Sequence, residues 1–349
     1  MHLKAIFTNQ LDIIYGIMPN KIRVQHQQRF IGLLKTLVPG QVNLCRDLMD
    51  ILEISQDGAY RRLRCETAIT LDETVKICLH YSIPLEALNN EVPDVVTFQF
   101  NPLDQSLDQF RNYLQTLTNQ LKAFRKHPNP EFHYAAEDIP MFYHFGFPEL
   151  TAFKLLYWMK SILNIPEFEG THYPFPVEEY FDTELLKGLY QHYSEIPGTE
   201  IWTDETIEST LQQIKFYWDA GFFTNKVEAI KVIDQTEELI RRVARQTETG
   251  QKIGYYGSST GAPLNVYLCD LMIGNNSIYV STGESAISSI GYNTFNSILT
   301  RNVAFNKQHL QWMNNLKRKS IQISGMAEKI RNQFFKAQLK KIENLRDSL

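Results

Sequence analysis

The sequence predicts a mainly α protein: an N-terminal module of five short helices within residues 1–92, and a larger helical domain over residues 93–349 that contains a small antiparallel β-sheet. Three observations lead there. Apolar residues recur at steps of three and four along most of the chain, the spacing of one helix face. Strand-like segments cluster at about residues 253–281, between Gly250 and the last helical stretches. The length, 349 residues, exceeds the roughly 100–200 of one domain, and the alternating Val95–Phe100 segment marks a junction near residue 92.

In the first module, with its core over residues 25–89, Phe30, Leu33, Leu34 and Leu37 line one face of a helix that Pro39-Gly40 ends. Leu44, Leu48 and Leu52 step by four along a second helix, which stops in a turn at Glu53-Ile54. Ser55 caps a third. There Ala59 and Leu63 form an inner stripe, and Asp57, Tyr60, Arg61 and Arg64 project from the opposite side. Thr70 with Glu73 forms a capping box for a fourth helix, whose expected inner face is Leu71, Val75, Cys78 and Leu79. Pro84 opens a last short turn, Leu85 to Leu88.

The order Leu-x-x-x-Leu-x-Ile-Ser, an Arg-bearing helix, Thr-Leu-Asp-Glu and then Ile-Pro-Leu-x-x-Leu resembles the Cro/repressor-type (XRE-like) helix-turn-helix family over about 65 residues. Two glycines usual in that family are absent. Leu52-Glu53 stands at the turn, and Cys65 closes the third helix. The resemblance implies a bacterial transcription regulator of the cytoplasm that binds double-stranded DNA as a homodimer, with Gln56, Asp57, Tyr60, Arg61, Arg62 and Arg64 on the recognition helix. Arginine suits that role because its planar fork can grip a guanine edge or a phosphate. A module that binds another protein through the same helices is the first alternative.

Beyond the junction, Leu103, Leu107, Phe110, Leu114, Leu117, Leu121 and Phe124 predict a long helix before Pro128. Helices are also expected at 178–194, 204–220, 226–246, 306–319 and 325–345. Both the 103–124 and the 325–345 helices offer a dimer interface. Nine aromatic residues between Phe132 and Trp158 fill a core or line a pocket for a small-molecule effector. Strands are expected at 253–256, 264–273 and 277–281, the last two joined by Gly274-Asn275-Asn276 as a hairpin. Residues 131–165 and 265–345 also resemble a large domain attached to such modules in bacterial proteins, to which the resemblance assigns no chemistry. A regulatory or oligomerisation role is expected of it.

Hydrophobic content of 43% with no low-complexity tract argues against disorder. The net charge of -4 hides an asymmetry. Residues 91–300 hold 14 Lys+Arg against 27 Asp+Glu, and residues 301–349 hold 11 against 3. The four cysteines lack zinc spacing and suit buried thiols in a reducing compartment. No metal or cofactor is expected, and no membrane span. Gly257-Ser258-Ser259-Thr260-Gly261 matches a nucleophile elbow, with Asp270 and His309 downstream as triad partners, but Pro263 and a strand-like run stand where the elbow needs a helix. Hydrolase chemistry at Ser259 is therefore the weakest alternative, and the chain is not expected to be an enzyme.

Overall fold

The computed structural model describes residues 20–37, 41–81, 83, 85, 96–283 and 285–349, and the side chains of 20–25, 36–37 and 41–43 are left aside. The chain divides into two compact units, Met1–Thr97 and Phe98–Leu349.

In the first unit, α1 (Asn20–Leu37), α2 (Gln41–Leu52), α3 (Gln56–Leu63) and α4 (Leu71–His80) surround one small core. Phe30, Ile31 and Leu34 of α1 meet Leu44, Leu48 and Leu52 of α2, Ala59 and Leu63 of α3, and Ile77 and Cys78 of α4. The expected inner face of α4 is corrected here. Leu71 and Leu79 are 74% and 75% exposed; Cys78 faces inward as expected, and Ile77 rather than the leucines joins it. In this ten-residue helix apolar residues occur on both sides, so the spacing alone does not choose between them. The expected turn at Leu85–Leu88 falls largely outside the described residues.

The turn between α2 and α3 needs a left-handed residue. Glu53 supplies it at φ 54°, and Cys65, after α3, has φ 60°. These are the two positions where the resembled family uses glycine. A side chain in this conformation costs about 1–2 kcal/mol, so Glu53→Gly is expected to stabilise the first unit by roughly 0.5–1 kcal/mol. Hydrogen exchange of α2 and α3 amides in the full chain measures this. Faster exchange in the variant would show that the turn is not strained.

The second unit departs from the expected fold class. The structure is 56% helical, yet its strands, 15% of residues, build one nine-stranded mixed sheet rather than a small antiparallel one. The strands are β1 (Gln99–Phe100), β2 (Glu131–Ala135), β3 (Gly198–Trp202), β4 (Gln251–Ile253), β5 (Ser259–Leu268), β6 (Ser277–Ser281), β7 (Ala286–Gly291), β8 (Ser297–Thr300) and β9 (Ile321–Gln322). Their order is β1-β8-β7-β6-β2-β3-β5-β4, with β9 also on β5. The central β2, β3 and β5 run parallel, and the flanking pairs are antiparallel. The expected 264–273/277–281 hairpin does not form, because β2 and β3 lie between β5 and β6.

Helices cover both faces of the sheet, as its parallel centre requires. Those of one face are α5 (Leu107–Phe124), α6 (Pro148–Leu156), α7 (Val177–Tyr180), α8 (Thr183–Ser194), α9 (Glu208–Asp219) and α10 (Lys226–Thr249). The chain ends with α11 (Val303–Arg318) and α12 (Glu328–Ser348). Phe132 and Tyr134 of β2 enter the large core shared with α5, α6, α8, α10 and α12. Ala135 and Ile201 face the other way, onto Met313 and Leu316 of α11. Gly250 ends α10 in the left-handed conformation, φ 67°, which turns the chain straight into β4.

The aromatic stretch belongs to the large core. Phe132, Tyr134, Phe142, Tyr143, Phe145, Phe147, Phe153 and Trp158 are all buried, and Phe153 alone packs its ring against Tyr157, Tyr173, Tyr217 and Phe223. The two expected dimer helices are also core elements. The first, α5, buries Phe110, Leu114 and Leu121; the other, α12, buries Phe334, Phe335, Ile342 and Leu345.

Candidate nucleic-acid interface

The third helix is positioned by bonds at both ends. Ser55 Oγ accepts from the Gly58 amide at 3.3 Å, and Ala59 and Leu63 anchor one side in the core. At 100° per residue, Asp57, Arg61 and Arg64 then share the outward side. Gln56, Asp57, Arg61 and Arg64 are exposed, and Tyr60 is half-buried against the core. Arg64 lies 3.3 Å from Glu66, both of them half in solvent. Such an exposed pair is weak and can be exchanged for another anion. Arg61 forms no ion pair among the described residues.

Arg62 differs from its neighbours. Its Nε and Nη2 donate to the two carboxylate oxygens of Glu73 at 3.1 and 2.6 Å, and Nη1 donates to the Gly58 carbonyl at 3.2 Å. Glu73 also completes the capping box on Thr70. The Arg62 hydrogen bonds hold its carboxyl below the ordinary carboxylate range. Arg62 thus locks α3 to α4 and leaves the expected set of outward contacts. Gln27 of α1 braces the same region, since its amide donates to the carbonyls of Arg62 and Thr67 at 3.0 and 2.8 Å and accepts from the Ile69 amide at 3.1 Å. The outward face therefore stands on a braced helix, which is what reading a groove demands of a side chain.

The residues of the hydrolase alternative go elsewhere. Ser259 Oγ donates to Gln251 Oε1 at 2.8 Å, at the exposed start of β5. His309 is held between Ser288 Oγ at 2.7 Å and Ser277 Oγ at 3.0 Å under α11, and burial depresses its pKa to about 4. Neither Ser259 nor His309 bonds the other or Asp270. Among the described residues no group of His, Cys, Asp and Glu is arranged to hold a metal, the four cysteines are free thiols, and no helix is long and apolar enough to cross a membrane.

One polar cluster escaped the sequence reading. Glu200 of β3 is fully buried, with Oε1 accepting from Tyr143 and Tyr193 at 2.7 and 2.6 Å and Oε2 accepting from Trp202 Nε1 at 2.8 Å. Lys252, equally buried, donates to the Tyr193 carbonyl at 3.1 Å and lies 3.5 Å over the Tyr193 ring. Burial pulls its pKa down to about 8, against the opposing pull of Glu200. A Cβ at Gly198 would sit 3.0 Å from the Lys252 ammonium, so glycine makes that seat. Lys154 is buried likewise, bonded to Thr210 and Gln213 at 2.8 Å each, with Asp138 at 3.8 Å. Sealed from solvent, these clusters are fold-holding.

Comparisons with models of known protein families, with curated proteins and with solved structures find no match for this chain.

Proposed function

We propose that the protein is a sequence-specific, DNA-binding transcription regulator of the bacterial cytoplasm, with α3 as its recognition helix. The observation that carries this reading is the outward Arg61/Arg64 face on a short, Ser-capped helix whose other arginine is spent on bracing it. An α-helix fits the major groove, and outward arginines suit guanine edges. The active form is a homodimer, because one small module contacts too few base pairs to select a genomic site. The second unit regulates or assembles that dimer. The apolar faces of α5 and α12 are buried within the unit, so a dimer contact through either helix would use its polar outer face.

The test is selection from a pool of random duplexes by the full chain. Enrichment of a motif with two related half-sites, roughly one helical turn or more apart, is the expected result. Failure to enrich any motif would defeat the reading. A second reading, a protein-binding module, is favoured by one observation: Leu71 and Leu79, with half-buried Val75 between them, form an apolar stripe on the outside of α4. That stripe is the surface left to explain if no motif emerges.

A further inference from the structure

Between Arg301 and Ala327 the chain carries five Lys and Arg and no Asp or Glu. Most of this stretch is α11. Several helical cations elsewhere in the second unit sit beside a carboxylate of their own helix, as Lys187 does beside Glu184, Lys215 beside Asp219, Lys231 beside Glu228, Arg241 beside Glu237 and Lys340 beside Glu343; α11 contains no carboxylate at all. Among the described residues, none of Lys307, Lys317, Arg318 and Lys319 forms an ion pair, and Arg318 donates only to the Asn315 amide oxygen. Glu131 of β2 acts on Lys317 through space without an ion pair.

This cationic helix is firmly seated. Met313 and Leu316 are buried against the sheet, His309 bonds Ser277 and Ser288, and Asn306 donates to the Ala286 carbonyl at 2.6 Å. Its outer flank and Tyr267 of β5 enclose a shallow cleft of about 750 Å³, lined by Lys307, Gln311, Asn314, Lys317 and Arg318. Three cations with the neutral amides of Gln311 and Asn314 between them, and no carboxylate in the cleft lining, make a surface for a line of phosphates rather than for a single ion. From Lys307 to Arg318 the helix advances ~16 Å at 1.5 Å per residue, comparable to about five steps of one DNA strand at 3.4 Å each.

We infer that the α11 cleft binds the phosphate backbone of duplex DNA without regard to sequence, adding a second contact to the one made by α3. This rests on the reading of α3 as a DNA reader, and the two are separable by experiment. The full chain is compared with its Lys307→Gln/Lys317→Gln/Arg318→Gln variant, and with Lys307→Gln/Arg318→Gln, which alters exposed side chains only. Affinity for the selected duplex and for an unrelated one is measured over a salt series. In the triple variant the slope of log affinity against log salt is expected to fall by about 2–3, and in the double variant by about 2, at roughly 0.9 per lost phosphate contact. Both duplexes should weaken alike, so that their affinity ratio is unchanged.

An unchanged slope in both variants overturns the inference, as does a wild-type chain that binds no duplex at low salt. So does tighter binding of polyglutamate or single-stranded RNA than of duplex, lost in the same variants, which would assign the cleft to another polyanion. Arg61→Ala/Arg64→Ala reports on α3 separately. If that variant keeps the wild-type affinity ratio while the α11 variants lose slope, the recognition reading falls and the α11 contact stands.

Discussion

The full chain carrying Arg61→Ala and Arg64→Ala is expected to bind its selected duplex about 30-fold to 10⁴-fold more weakly, from roughly 1–3 kcal/mol for each arginine that grips a base. Nonspecific affinity should fall much less, because phosphate contacts elsewhere are untouched. Both side chains are exposed, so the variant should keep its fold. Arg62→Ala supplies the contrast. It leaves the Glu73 carboxylate without its half-buried partner and weakens the first unit, but should alter the ratio of specific to nonspecific binding little at temperatures where the unit is folded. Fluorescence anisotropy with selected and scrambled duplexes reads both. Wild-type affinity in the Arg61/Arg64 variant would remove the outward face of α3 from the interface, and a specificity change confined to Arg62→Ala would move the contact to Arg62.

Glu200→Ala should have the largest effect on stability. It strips the acceptor from two tyrosine hydroxyls and the Trp202 indole, and leaves Lys252 with only a carbonyl and a ring. Each of the three stranded buried donors costs about 1–3 kcal/mol, and the buried Lys252 charge loses the attraction of Glu200 as well. The sum rivals the roughly 5–15 kcal/mol that holds a domain together, so the second unit should fail to give a cooperative urea transition. Glu200→Gln retains an acceptor for the tyrosines and should cost less. Adding Lys252→Met to Glu200→Gln should recover stability, since the lysine no longer has to be buried with its charge. A urea midpoint in Glu200→Ala equal to that of the wild type would show the cluster to be of little consequence.

The same cluster shows why the second unit was hard to read. Glu200 in the run Gly-Thr-Glu-Ile-Trp looks like a surface charge, and its partner Tyr143 stands 57 residues away. Nothing local marks that segment as a central strand. The short β2 disappears among neighbouring aromatics, and β7 is broken up by Ser288 and Ser289, of which Ser288 is buried against His309. The sheet thus depends on distant pairings. In the first unit the signals are local: Ser55 and the Thr70–Glu73 box sit within three residues of the amides they cap. Even there the inward turn of Arg62 depends on Glu73, 11 residues on, so sequence position alone groups Arg62 with Arg61 and Arg64.

The second unit begins with its slightest strand. Just past the division between Thr97 and Phe98, β1 joins the sheet through two residue pairs, Gln99 with Leu299 and Phe100 with Ile298. Asn296 and Arg301 add one bond each, to the Asn101 carbonyl and to Gln99. So few bonds at an outer edge place β1 at the low-stability end of the unit. Because β1 lies on β8, which runs directly into α11, a ligand or partner that tightens this corner also slows the peeling of β1 from the sheet.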